Sequence, residues 1–256
     1  MERETFEREA DRVLGAAAGA DLTLRLLGAL AFRRRCPRYG HLQDRMGRLF
    51  TDIDFAGYGR QVPAIREVMA GLGYREDTGV YVESEGTRLI FDHPGIGLHA
   101  DVFLDKLEFC HTIAWDGRLE VDDETIPLAE LVLEKMQIVE INEKDVIDTI
   151  MLFLEYALAE RDQDAINIGH IAGLCARDWG LWRTITMNLD KVRRLADEYP
   201  QLGQEEKAIV RDRVGEGLER IGREPKSRKW RMRSVIGDRK KWYRDVGELG
   251  PVPEGI

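Results

Sequence analysis

Asp52 and Asp54 stand two residues apart in "LFTDIDF", residues 49–55, on the polar side of an otherwise apolar stretch. Two carboxylates on one strand face repel each other, and a cation between them removes that cost. A solvated strand face is the plainer alternative. A third acid separates the two readings: in "LHADVFLD", Asp101 alternates with Ala100 and Val102 and so lies opposite their apolar face. Three hard oxygen donors on adjacent strands suit magnesium, which takes carboxylate oxygens and keeps several waters. Two such ions roughly 3.5–4 Å apart are the arrangement that stabilises the attacking and leaving oxygens of phosphoryl transfer. Asp52, Asp54 and Asp101 are therefore both the candidate metal ligands and the candidate catalytic residues.

Other site chemistries fit the chain less well. A calcium loop beginning at Asp52 would need an oxygen ligand at position 56 and a glutamate at 63, where the chain has Ala56 and Pro63. Walker A, H-E-x-x-H and G-x-S-x-G patterns are absent. A second D-x-D, Asp162 and Asp164 in "RDQDAI", sits in polar surroundings and reads as a helix-capping loop. Of the five histidines, His99 shares a strand face with Asp101 and stays a candidate, while the others read as capping or core residues.

The elements that must hold these acids follow from periodicity. Residues 2–20 have the pattern of an amphipathic helix. "LTLRLLGALAF" is a short strand broken at Gly28 that continues into a helix. Residues 33–48 are Arg-rich, poor in periodicity, and expected as an inserted loop. "TDIDF" alternates as a strand should, with Ile53 and Phe55 opposite the acids. "PAIREVMAGLGY" is helical with Pro63 in its first turn. "GVYVESEGTRLIF" reads as a hairpin turning at Glu85 and Gly86, and "LHADVFLD" as a further strand. From Pro127 onward the apolar positions recur at three and four residues, and little strand pattern remains. The expected architecture is α/β (α+β): a small mixed-sheet domain over residues 1–125, then a helical domain over 126–256 that ends in a basic segment.

Composition sets the surroundings. The 256 residues are 43% hydrophobic, enough to bury a core. The charged N-terminus lacks a secretory pattern, and no apolar run approaches the ~18 residues that would span a bilayer, so a cytoplasmic protein with no membrane partner is expected. Cys36, Cys110 and Cys175 are odd in number and far apart, which suits reduced, buried thiols better than disulfides or a zinc site. Net charge is −9, yet residues 223–244 hold ten Lys/Arg against Glu224 and Asp238. Such a segment suits a polyanionic partner, with Trp230, Trp242 and Tyr243 available to stack on unpaired bases. The competing expectation is a helix whose Trp230, Val235 and Ile236 pack on the acidic body.

Taken together, "LLGALAF", "TDIDF" and "HADVF" resemble the minimal signature of the polymerase-β-type nucleotidyltransferase superfamily: a hydrophobic-Gly-small step, a D-x-D strand and a later single acid. "PLAELVLEKMQIVEINEKDVIDTIMLF" is similar to the helical part of the AbiEii-like, toxin-type nucleotidyltransferases, with a Lys in an apolar helix followed by K-D-x-x-D. The resemblance spans residues 22 to about 155. It implies a nucleotidyltransferase domain followed by a helical domain. It also implies an enzyme that moves a nucleoside monophosphate from a nucleoside triphosphate to a hydroxyl, using two Mg2+ ions held by Asp52, Asp54 and Asp101. Gly28 and Ala29 would meet the nucleotide's phosphates, Ala29 replacing the family's usual Gly or Ser. Lys135 and Lys144 would meet the triphosphate, and Arg residues of segment 33–48 would help to neutralise it. RNA or tRNA is the favoured acceptor, protein and small molecules being the alternatives, and the toxin-type relatives imply an antitoxin-like protein partner. The runner-up is a catalytically inactive nucleotidyltransferase fold that only binds nucleotide, RNA or protein.

Overall fold

Phe6, Ala10, Val13 and Ala17 recur at helical spacing and bury one face of α1 (Arg3–Gly19). In the computed structural model, which describes residues 3–45 and 47–245, this helix packs on α4 (Val62–Gly71) and on β2 (Asp52–Gly57). The chain then forms β1 (Arg25–Leu27), turns sharply at Gly28 and enters α2 (Gly28–Arg35). Leu30, Ala31 and Phe32 bury α2 against β1, β2 and the helices that follow.

β2, β4 (Arg88–His93) and β5 (Leu98–Leu104) form the centre of a mixed five-stranded sheet of order β1-β2-β5-β4-β3, with β3 (Arg75–Glu76) at the far edge. β2 and β5 run parallel, while the other neighbours are antiparallel. Ile53, Phe55, Ala100 and Val102 are buried, so the apolar alternation read from the sequence sets the sheet's inner face. A short hairpin, β6 (Lys106–Glu108) with β7 (Thr112–Ala114), extends β5, and the sequence pattern did not single it out.

Two expectations are corrected here. Segment 33–48 is not a loop over residues 33–45, which form the end of α2, a tight turn and α3 (His41–Arg45). Among the described residues, five of its six arginines are held by the protein's own acids, Arg45 being the exception. Arg33 binds Asp44 at 3.0 Å, Arg34 pairs with Asp11, Arg35 binds Asp122 at 2.9 Å and Arg38 binds Glu155 at 2.6 Å. Segment 79–91 is not a hairpin either. Asp77 accepts a hydrogen bond from the Gly79 N–H at 3.0 Å and caps α5 (Thr78–Glu83), and the strand begins only after the reversal at Glu85 and Gly86, both at positive φ. The hairpin lies instead between β4 and β5.

The rest is mostly helical: α6 (Leu128–Met136), α7 (Glu143–Glu155), α8 (Ile168–Arg177), α9 (Trp179–Glu198), α10 (Gln204–Arg223) and α11 (Arg228–Ile236). α7 begins with a capping box between Asn142 and Asp145. A parallel pair, β8 (Leu158–Ala159) with β9 (Ile166–Asn167), interrupts the run, a short piece of strand where little was expected. The loop holding Asp162 and Asp164 joins these strands, and Asn167, not either aspartate, caps α8. Asp162 instead binds Arg118, which also binds buried Glu130 of α6. One apolar cluster runs from Phe6 to Ile221 across residue 125. Cys36, Cys110 and Cys175 are buried free thiols, as expected. Among the described residues, no helix is long and apolar enough to cross a membrane.

Candidate active site

The parallel pairing of β2 with β5 puts Asp54 directly beside Asp101, and Asp52 beside His99. Asp52 is exposed, Asp54 partly buried and Asp101 buried, so the three acids descend from solvent into the sheet. The turn from β1 into α2 closes over Asp54. Gly28 sits there at φ +71, and a Cβ built on it would collide with Asp54 Oδ2. Only glycine satisfies both the left-handed backbone and the close approach.

Electrostatics mark the same spot. Burial, then the charges of Asp52, Asp101 and Glu134, push the Asp54 carboxyl well above the ordinary carboxylate range, against the pull of Lys135. Burial also raises Asp101, and Arg88 opposes that rise through its charge and a short ion pair. The Arg88 guanidinium lies 5.2 Å from the centre of the Phe103 ring. His99 is exposed, and its Nδ1 faces the Asp92 carboxylate.

A second layer of charge lies on α6 and α7. Glu134 accepts from the Gly28 N–H at 3.1 Å and binds Lys135 Nζ at 3.0 Å. Lys135 Nζ is also 3.5 Å from Asp145 and 3.7 Å from Asp148. Desolvation pulls the Lys135 ammonium down, but Glu134, Asp148 and Asp145 outweigh it and hold the ammonium above its ordinary value, so it is charged. Fully buried Asp148 also takes hydrogen bonds from Gln43 at 2.7 Å and Arg48 at 3.1 Å. Gln43 Nε2 reaches the Ala29 carbonyl at 3.2 Å, which ties this layer back to α2.

The fold thus brings together Asp52, Asp54, Asp101, Gly28, Ala29 and Lys135. Lys144 stands apart in the first turn of α7, exposed and without an ion pair among the described residues. Sequence reasoning missed Arg88, Glu134 and Gln43, and it assigned Arg48 to the triphosphate where the fold sets it on Asp148. Glu134 had a usable signal, since two adjacent charges in the apolar run "LVLEKM" need partners. Arg88 did not, because its pairing depends on the β4–β5 register.

Whether these residues suit a divalent cation can be judged from the donor set. The donors are all carboxylate oxygens, Asp54 sits beside Asp101, and Asp54 bears the repulsion a cation would relieve. Their chemistry fits magnesium. Among the described residues, no group of three or more His, Cys, Asp or Glu side chains is already converged as a metal cage. Arg88 holds Asp101 in this arrangement and would have to yield.

Comparison with protein-family models, with curated proteins and with solved structures returns no match.

Proposed function

We propose that the chain is a metal-dependent nucleotidyltransferase of the polymerase-β type, AbiEii-like in its helical part, with an acceptor hydroxyl on RNA favoured. The observation that carries the reading is the placing of Asp54 beside Asp101 on parallel strands with Gly28 pressed against the Asp54 carboxylate. Asp52, Asp54 and Asp101 would hold magnesium, which when bound neutralises the triphosphate and stabilises the attacking and leaving oxygens. The N–H groups of the first turn of α2 have no partner within the helix and face the role of binding phosphate oxygens. Ala29 supplies one of them and loses only the hydroxyl that a serine would add. Asp101 accepts the acceptor hydroxyl's proton, the oxygen attacks the α-phosphorus, and pyrophosphate leaves. Lys135 positions Glu134 and offsets the charge near Asp54, while Lys144, exposed and without an ion pair among the described residues, would meet a phosphate only at the edge of the site.

One observation favours the runner-up, an inactive fold that only binds. The chain's own charges fill the complementary positions: Arg88 sits on Asp101, and Glu134 on the Gly28 N–H. Thermal shift with each nucleoside triphosphate separates the two readings. The enzyme reading expects stabilisation that needs both triphosphate and Mg2+ and is lost in Asp54→Asn. Stabilisation by triphosphate that is indifferent to Mg2+ and to Asp54 would favour the runner-up.

A further inference from the structure

The basic C-terminal segment is docked on the body. Trp230 stands T-shaped on Trp182 with ring centres 5.1 Å apart, and Trp242 stands likewise on Trp179 at 6.2 Å. Trp242 Nε1–H donates to Thr184 Oγ1 at 3.0 Å. Two indoles expected to meet bases are therefore packed within the protein. Val235 and Ile236, expected to pack, are 74% and 42% exposed.

What the docked segment leaves is a groove between itself, the β6–β7 hairpin and the junction of α8 with α9. The main chamber is about 500 Å³, and an adjoining one of about 430 Å³ shares Cys110, Tyr243 and Arg244 with it. A smaller chamber of about 160 Å³ shares Arg177, Arg233 and Trp242. A run of connected chambers fits a chain better than a single small anion.

Its charge is mainly basic, although Glu140 and Asp245 line the adjoining chamber. Arg177, Arg233, Lys241 and Arg244 line the main chamber against one carboxylate, Asp178, whose Oδ1 is committed to the N–H groups of Gly180 and Leu181. Among the described residues, Arg177 has no side-chain partner, and Arg233, stacked over the Trp179 ring, donates to the carbonyls of Gly237 and Lys240 and pairs with no acid. Lys241 and Arg244 pair with Asp245 and Glu108 at the exposed rim, where such pairs contribute little and exchange readily for phosphate. Tyr243 lines both larger chambers. Trp230, whose Nε1–H has no acceptor among the described residues, lines the small one.

We infer that this groove binds single-stranded nucleic acid, with Arg177 and its neighbours on the phosphates and Tyr243 stacked on a base. That such a strand serves as the acceptor rests on the transfer reading; the binding itself does not. Fluorescence anisotropy with a labelled single-stranded oligoribonucleotide of about ten nucleotides tests it. Triphosphate is omitted and EDTA added, so a failure of the transfer reading cannot affect the result. Contact with about three phosphates predicts a log–log salt slope near −2. Arg177→Glu should weaken binding about tenfold and Tyr243→Ala several-fold, both with unchanged melting temperature, while Arg75→Glu on β3 should bind like the parent. The inference is overturned by absence of binding at low salt, by parent-like binding of both groove variants, or by an equal loss in Arg75→Glu. Equal affinity for a duplex or for inorganic polyphosphate would overturn the assignment to single strands.

Discussion

The Asp54 carboxyl is held well above the ordinary carboxylate range by burial and by neighbouring acids, and that shift fixes a pH dependence. A carboxyl whose folded pKa lies above its unfolded value binds its proton more tightly when folded. Its contribution is therefore most favourable below the unfolded pKa and is lost as pH rises through the folded one. Asp101 shifts in the same direction. In EDTA, the parent's melting temperature should fall as pH rises above the ordinary carboxylate range. Asp54→Asn should flatten that fall and be the more stable protein at neutral pH. A parallel pH profile for the two would remove the repulsion on which the metal reading stands. Gly28→Ala tests the neighbouring constraint. Positive φ and the collision with Asp54 should cost about 1–3 kcal/mol, read by urea denaturation, and should abolish triphosphate binding. Arg88→Met leaves the buried Asp101 unpaired. Breaking such a pair costs roughly 3–5 kcal/mol, and the partial exposure of Arg88 places the loss at or below the lower end. Mg2+ should restore more stability to this variant than it adds to the parent.

At the scale of elements, α6 and α7 are joined to α2 through buried charge. Lys135→Met should therefore loosen all three, because Glu134 and Asp148 would keep their burial and lose their cation. A loss of several kcal/mol in urea denaturation is expected, on the order of the 3–5 kcal/mol for stranded buried charges. A change below about 0.5 kcal/mol, typical of surface substitutions, would mean the network is not structural. The strands holding the acids were legible in sequence because side-chain alternation is local: "TDIDF" and "HADVF" each show their buried and polar faces directly. α5 was not, since its sequence favours a strand and one cap at Asp77 tips it into helix. Nor was the Arg-rich turn, whose order comes from acids as distant as Glu155. The candidate site divides the same way. The acids and Gly28 were readable, whereas Arg88, Gln43 and Arg48 reach their partners only through tertiary contacts.

On the whole-molecule scale, charge is segregated: an acidic body carries a basic segment that folds back on it. Part of that segment is spent on docking, as Asp238 with Arg183 and Trp242 with Thr184 show, while its Arg233, Lys241 and Arg244 line the groove. The carboxylate site and the groove thus suit opposite charges, a cation with its triphosphate at one and a phosphate chain at the other. Transfer of a nucleoside monophosphate is decided by the fate of a label on the triphosphate. Each triphosphate, labelled either on the α- or on the γ-phosphate, is incubated with the protein, Mg2+ and a cell lysate. A nucleotidyltransferase should move α-label into an acceptor, most of it in RNA, release γ-label as pyrophosphate, and lose both in Asp54→Asn and Asp101→Ala. Label entering an acceptor from the γ-position, or α-label transferred equally well by both variants, would contradict the transfer reading.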